Sequence, residues 1–487
     1  MSRHVKILYA ASEVAPFAKT GGLADVSAAL PRHLARRGHD VLLVAPLYRR
    51  VRETVETTPI PGAQDLRLSL GPHEVRVSLH RAPLPNSEVQ VCFVRCDALY
   101  GRDGIYTQDP DEHLRFIVLT YAALTACQRL GFAPDIAHVH DWQTALLPLA
   151  LRCRYDWDGA IFGRTKTVLT IHNLAHQGAF GAHVLPDTGL ADSAHLFHQD
   201  QLSAGAISLL TTGILYADAI TTVSPTYAKE IQSPELGMGL DGLLRERAST
   251  VVGVLNGIDP TEWDPATDPL IPHRFSRGDL DGKERCKKAL LESVGLPYHT
   301  GLPLAGVVTR LTAQKGLELI LEVAPHFLAR GRMQLVVLGS GATHYENAFS
   351  QLQHRFPHQV CFYRGFSNEL AHLIEAGSDM FLMPSRFEPC GLNQLYSLAY
   401  GTAPIVRATG GLRDSVRPFD ARTGEGTGFV FEHFDAQGLG WALDQALRTY
   451  RNRPLWRRLQ DNAMAQDFSW ERRVRTYEEL YERVREL

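Results

Sequence analysis

The chain has 487 residues, more than one hydrophobic core organises, so two or three domains are expected. Hydrophobic residues make up 45% and charged residues 21%, an ordinary globular balance. The formal net charge of -3 excludes a general nucleic-acid or membrane-surface binder, although an anionic ligand is still allowed where a few cations converge. The seven cysteines include no CxxC pair and no zinc spacing, which reads as reduced thiols in a cytoplasmic protein. The first apolar run starts almost at Met1 and no run reaches membrane length, so neither a leader nor a span is expected.

Taken in order, the run 5–11 reads as a buried parallel strand and 27–38 as a helix ending at Gly38. Between them lies Lys19-Thr20-Gly21-Gly22-Leu23-Ala24-Asp25. Paired glycines at a strand-to-helix handover permit a tight bend and a close ligand approach. The free N–H groups of the helix start, with Lys19 beside them, suit an anion such as phosphate. Further strands are expected at 41–45, 89–94, 136–140, 167–171 and 219–223, with helices at 112–130 and 205–215. The alternation of Leu66, Leu68, Leu70 and Val75, Val77, Leu79 marks an antiparallel excursion over 53–79.

Near 251–260 the pattern pauses, and Pro260, Pro265, Pro269 and Pro272 break up the next stretch. The interdomain junction is placed here, giving a domain over 1–250, a second over 251–465 and a terminal helical segment over 466–487. The alternation restarts with strands at 304–309, 334–338, 360–363, 380–383 and 403–406 and helices at 317–328 and 368–376, and 470–484 reads as one charged amphipathic helix. Strands alternating with helices in both halves predict an α/β fold of two doubly wound, Rossmann-like domains, which would enclose a cleft if they face each other.

Chemistry-bearing residues gather after these strands. Arg310 and Lys315, followed by Gly316, make a second candidate anion site, since Arg grips a diphosphate through two parallel hydrogen bonds and Lys acts as a point charge. In Ser385-Arg386-Phe387-Glu388-Pro389-Cys390-Gly391-Leu392, Glu388 is pinned by Pro389 and could accept sugar hydroxyls, and Gly391 permits close backbone approach. Thr409-Gly410-Gly411 repeats the strand–glycine–helix arrangement and could offer backbone donors. His138, His140, Asp141 and Trp142 form one strand end and His172 and Asn173 another. His138 and His140 share a strand face, but with no third ligand at a recognisable spacing they read as buried, hydrogen-bonded histidines. The acidic triplets Asp109-Pro110-Asp111, Asp156-Trp157-Asp158 and Asp279-Leu280-Asp281 read as solvated loops, and neither a Walker A motif nor a GxGxxG fingerprint is present.

Assembled, these stretches resemble the bacterial glycogen synthases, the ADP-glucose-using family that includes plant starch synthases. The similarity covers nearly the whole chain, and the combination of 19–25 with 386–392 is its most specific part. The resemblance implies a GT-B fold, two domains across a cleft with the terminal helix crossing back. It also implies transfer of glucose from ADP-glucose to the non-reducing end of an α-1,4-glucan (glycogen or a malto-oligosaccharide), with retention and no metal or other cofactor. By matching positions, Arg310 and Lys315 would hold the leaving diphosphate, with Lys19 closing onto it from the other domain. Glu388 and Asn256 would bind glucose hydroxyls, with His172 and Asp141 on the opposite wall and Asp25 and Tyr106 lining the cleft. Gly21, Gly22, Gly391, Leu392, Thr409, Gly410 and Gly411 would contact the donor, Phe366 would stack on adenine, and Cys390 and Trp142 would pack near the sugar. Tyr396 stands where broader retaining relatives carry a second Glu. A monomer or weak homo-oligomer without nucleic-acid or membrane partners is expected. The alternatives are another enzyme of this fold (a UDP-sugar transferase or a sugar-nucleotide epimerase) and a non-catalytic glucan-binding scaffold, which has no need of a diphosphate site.

Overall fold

The structure is a computed structural model that describes residues 4–487. The chain forms two compact units. The first comprises residues up to 223, 228–254 and 470–487; the second comprises 224–227 and 255–469.

The first unit is built on β1 (Lys6–Ala10), whose residues are almost entirely buried. It lies between β2 (Asp40–Pro46) and β7 (Ile136–His140), parallel to both. On the β2 side the sheet continues through β6 (Gln90–Arg95), and on the β7 side through β8 (Lys166–Ile171), β11 (Ala219–Thr222) and β12 (Val251–Gly253). Strand order therefore reverses beside β1, so the loops leaving β1 and β7 open the crevice where such sheets bind ligands. The expected antiparallel excursion is a ribbon of β3 (Thr58–Pro59), β4 (Leu66–Leu70) and β5 (His73–Pro83), attached through β5 to β6. Leu66, Leu68 and Leu70 are buried in alternation with exposed neighbours, as period-2 patterning requires. The helix Glu112–Leu130 is buried along nearly its whole length and ends at Gly131, in the left-handed conformation at φ 60°.

Two local expectations need correction. The first helix begins at Gly22 rather than Ser27, because Leu23, Ala24 and Val26 already belong to its buried face. The stretch 205–215 is not one helix: β10 (Ala206–Ser208) pairs with β9 (Ala179–Gly181) before the helix Leu209–Tyr216, which Ser208 caps through its hydroxyl. The domain junction also lies a few residues later than the sequence places it, since β12 pairs with β11 and carries the first unit to Val254.

The helix Trp470–Arg485 belongs to the first unit and buries Trp470, Val474, Tyr477, Tyr481 and Val484. Its Glu478 is buried and accepts hydrogen bonds from Arg37 Nε (2.6 Å) and His39 Nε2 (2.9 Å). His39 Nδ1 in turn accepts from the Val5 amide at 3.2 Å, which fixes the tautomer.

The second unit carries one parallel sheet of β13 (Leu304–Val308), β14 (Gln334–Gly339), β15 (Val360–Arg364), β16 (Met380–Met383), β17 (Ala403–Arg407) and β18 (Phe429–Phe431), in the order β15-β14-β13-β16-β17-β18. Its order reverses between β13 and β16, the strands that deliver Arg310, Lys315 and Glu388. The short edge strand β18 and the helices Ala436–Arg451 and Arg453–Met464 are among the elements of this unit for which the sequence analysis gives no expectation.

Burial opposes ionisation of Glu478, but the hydrogen bonds from Arg37 and His39 outweigh it and hold the carboxyl below its ordinary value of 4.5. A depressed carboxyl contributes stability above its unfolded pKa and loses it as pH falls through the folded one. Glu478→Gln is therefore expected to cost about 2 kcal/mol at pH 7. In urea unfolding the difference from wild type should shrink as the pH is taken below that ordinary value of 4.5.

Candidate functional site

In the first unit the expected residues fall into two groups at the ends of β1, β7 and β8. The first is organised by Glu13, a residue the motif reading missed. Its buried carboxylate accepts from the Thr20 amide (2.5 Å), Thr20 Oγ1 (2.7 Å), the Gly21 amide (3.3 Å) and the Tyr106 hydroxyl (2.6 Å). Ser12 Oγ lies 2.9 Å from the same hydroxyl. A protein carboxylate therefore already accepts from two of the amides just before the helix. At the helix start itself stand Gly22 and Leu23, whose amides have no intrahelical acceptor. Gly21 is extended at φ −161°, so no tight turn requires a glycine there. A Cβ on Gly21 would meet open space. Lys19 is not a free cation either: its Nζ lies 2.6 Å from Asp25 Oδ1. Desolvation pushes the Asp25 carboxyl up, and Lys19 opposes that shift.

The second group centres on Asp141, a non-glycine residue at φ 50°. Its Oδ1 accepts from the backbone amides of His172 (2.6 Å) and Asn173 (3.4 Å). Burial nevertheless pushes the carboxyl up to about 7. A left-handed Asp at a strand end is held by its surroundings, as at many ligand sites. Trp142 packs edge-on against Phe116 (4.9 Å) and Phe180 (5.6 Å), and Gly178 at φ 56° abuts its ring face. Phe116 also lies 6.0 Å from Tyr106, so packing joins the two groups. His138 and His140 are buried histidines: His138 meets Tyr481 (2.7 Å) and Thr170 (2.6 Å), and His140 Nδ1 meets His172 Nε2 at 3.0 Å. Burial pushes His138 and His172 down to about 3.

In the second unit, Lys315 and Glu388 form one ion pair at 2.7 Å. Glu388 is buried and accepts a second hydrogen bond from Ser385 Oγ at 2.9 Å. The loops after β13 and β16 are stitched together behind this pair, the Arg386 amide donating to the Gln314 carbonyl at 2.8 Å. Gly316 sits at φ 64°, and a Cβ there would collide with the Pro384 carbonyl. Arg310 is exposed and has no carboxylate partner among the described residues. Phe366 is 75% exposed, on the loop after β15. Asn256 is buried with no partner for Oδ1. Arg310, Phe366 and Asn256 share no hydrogen bond or ion pair with the Lys315–Glu388 pair among the described residues.

Among the expected backbone donors of Thr409–Gly411, the Thr409 amide donates to the Arg407 carbonyl at 2.9 Å. The Gly411 amide already donates to the Glu388 (3.1 Å) and Pro389 (3.2 Å) carbonyls. Gly410, at φ 44°, leaves no room for a Cβ beside the Glu388 carbonyl, nor does Gly411 beside that of Cys390. These glycines let one helix start abut the Glu388 loop. Gly391, at φ 71°, precedes Leu392, which sits just ahead of the helix Asn393–Ala399 and packs on the core with the buried Cys390 nearby in the chain. Gln394 Nε2 ties the turn by donating to the Cys390 and Gly391 carbonyls, each at 3.0 Å. Tyr396 stacks on Trp263 at 3.7 Å and 7°, a core contact.

The acidic triplets are engaged locally. Arg102 pairs with Asp109 and Asp111, Asp158 caps the helix Gly159–Phe162, and Asp279 accepts from the Asp281 amide. No group of three or more potential ligands that could hold a metal occurs among the described residues. Nor is any described helix long and apolar enough to cross a membrane.

Two family models match the chain: the starch synthase catalytic domain over residues 6–246 and glycosyl transferases group 1 over residues 296–465. Fold and matches together define a glycosyltransferase of two α/β units. Glycogen synthase of Anaeromyxobacter sp. (strain Fw109-5) is 47% identical over 483 residues, covering 98% of this chain and 99% of that one. Glycogen synthase of Thermotoga maritima is 42% identical, covering 99% of each. The catalytic domain of starch synthase IV from Arabidopsis thaliana, solved bound to ADP and acarbose, superposes with a TM-score of 0.91 at 33% identity over 100% of both chains. The chain belongs to the glycogen synthase family.

The glycine geometry makes a contrast that unfolding experiments read directly. Gly410→Ala is expected to destabilise by about 3 kcal/mol, since both φ and the Glu388 carbonyl oppose a side chain. Gly21→Ala is expected to cost about 1 kcal/mol or less, the ordinary worth of a helix-cap change. Equal losses in urea unfolding would contradict this assignment of the two glycines.

Proposed function

We propose that this enzyme transfers glucose from ADP-glucose to the non-reducing end of an α-1,4-glucan, retaining configuration and releasing ADP. The observation that carries the proposal is the Lys315–Glu388 ion pair, at 2.7 Å, at the strand-order reversal that also presents Arg310. The pair is a cation and an acceptor held against each other until a ligand separates them. A sugar nucleotide suits both members, its phosphate replacing the carboxylate at Lys315 and its sugar hydroxyls replacing the ammonium at Glu388. Arg310 adds a bidentate grip on the diphosphate. The buried Oδ1 of Asn256 accepts a further hydroxyl, and the exposed Phe366 ring stacks on adenine. Gly391 and Leu392 place their backbone near the donor, with Cys390 packed behind them.

The first unit contributes Lys19, once released from Asp25, as a further phosphate cation and Gly22 as a helix-start amide. His172 and Asp141 serve as sugar contacts, and Trp142 and Tyr106 shape the surface around them. In the reaction the bond from C1 of glucose to the diphosphate oxygen breaks with its electrons leaving on ADP. The acceptor 4-hydroxyl attacks C1 from the same face and passes its proton to the departing phosphate oxygen. Arg310 and Lys315 stabilise the charge that builds on the leaving group, the role a divalent ion fills in other transferases. The proposal includes a metal-independent reaction in the cytoplasm. The family names of the relatives support the glucan product, and the ADP and acarbose bound to the starch synthase IV domain support a nucleotide and a saccharide as ligands.

The test is ADP release from ADP-glucose and from UDP-glucose, with and without glycogen, in the presence of a chelator. Glycogen-dependent release from ADP-glucose that survives the chelator is expected. Arg310→Ala and Lys315→Ala should each lower kcat by roughly a hundredfold or more. Near-normal turnover in either variant, or release that needs no glucan, overturns the proposal.

A further inference from the structure

The first unit contains a histidine pair whose protons can be placed by elimination. His140 Nδ1 and His172 Nε2 lie 3.0 Å apart, so one nitrogen donates and the other accepts. Both rings are kept neutral, because burial drives each well below the ordinary imidazole range. His140 is fully buried, against the rings of Tyr9 and His138, each 4.3 Å away. Its Nε2 is buried and has no hydrogen-bond partner. A proton on that nitrogen would be an N–H donor sealed from any acceptor, a rarer and costlier condition than a bare lone pair. The proton therefore belongs on His140 Nδ1, which donates to His172 Nε2. A neutral His172 then carries its own proton on Nδ1, which makes no hydrogen bond to a described residue.

We infer that His140 is a positioning residue that holds His172 in the Nδ1–H tautomer, so that His172 offers a donor, not a lone pair, to an oxygen of the bound sugar. The inference rests on the reading of His172 as a sugar contact. His138 holds the arrangement from behind: Tyr481 on the terminal helix meets its Nδ1 at 2.7 Å, Thr170 meets its Nε2 at 2.6 Å, and its ring lies against that of His140. The terminal helix is thus joined by side-chain contacts to the tautomer of a site residue.

The test is two-bond 1H–15N correlation on the ligand-free, 15N-histidine-labelled full chain at neutral pH, with signals assigned by comparison with H172A and H140N. Nδ1–H signals are expected for both His140 and His172. In His140→Phe the His172 signal should move toward the Nε2–H pattern and kcat/KM for ADP-glucose should fall about tenfold, the worth of one hydrogen bond. His140→Asn keeps a donor near the Nδ1 position and should retain both the Nδ1–H signal and activity within about threefold. Should the Phe variant fail to fold, the wild-type and Asn spectra still decide. A wild-type His172 protonated on Nε2 overturns the inference. Unchanged kcat/KM in His172→Ala overturns instead the sugar contact on which it rests, while the ligand-free spectrum still reads the tautomer on its own.

Discussion

The ion pair between Lys315 and Glu388 is the constraint around which the second unit's candidate site is arranged. Glu388 is only 5% exposed, so its charge depends on the Lys315 ammonium and the Ser385 hydroxyl. Removing one member of such a pair without replacement strands a buried charge, at a cost of about 3–5 kcal/mol. A ligand that brought only an anion would take Lys315 and abandon Glu388. One that brought only hydroxyls would leave Lys315 without a counter-charge. In the proposed function a phosphate joined to a sugar answers both, because one ligand carries the two chemistries side by side. Lys19 and Asp25 repeat the device in a more exposed setting in the first unit, where the exchange is cheaper.

That arrangement depends on backbone placement more than on the charged residues themselves. Gly316, Gly410 and Gly411 each stand where a Cβ would meet a carbonyl of the Pro384–Cys390 loop. The loop is therefore enclosed by two neighbouring loops at van der Waals distance, and Glu388 has little freedom to follow a departing cation. Glu13 does the same work in the first unit, using a carboxylate where the second uses glycines. By gathering the Thr20 and Gly21 amides and the Tyr106 hydroxyl, it fixes the loop that presents Lys19.

Much of this is legible in the sequence because it rests on periodicity. Buried parallel strands and the helix Glu112–Leu130 announce themselves as apolar runs, and the residues that come after a strand are natural ligand candidates. How the polar groups pair is not legible. Glu13 carries no motif, and its role arises from bringing Tyr106 back from 93 residues away. Lys315 and Glu388 each stand out separately, but 73 positions divide them and no spacing rule joins them. Gly410 and Gly411 read as a source of backbone donors to a ligand, since a glycine facing a ligand and one facing a carbonyl of its own protein look alike in one dimension. The strand Ala206–Ser208 reads as part of a helix because its partner, Ala179–Gly181, lies far along the chain.

The two units offer different chemistry at their strand ends. The second presents cations: Arg310 exposed and Lys315 paired with the buried Glu388 carboxylate. The first presents the Lys19–Asp25 ion pair and the Glu13 carboxylate beside β1, and groups of weaker charge at the ends of β7 and β8. His172 is held uncharged by burial, and Asp141 ionises only near neutrality despite two amides that favour its anion. Neutral donors and acceptors can hold an uncharged sugar without competing for the phosphate. In the proposed reaction the leaving group thus draws chiefly on the cations of the second unit, while His172 of the first adds an uncharged sugar contact to those of Glu388 and Asn256.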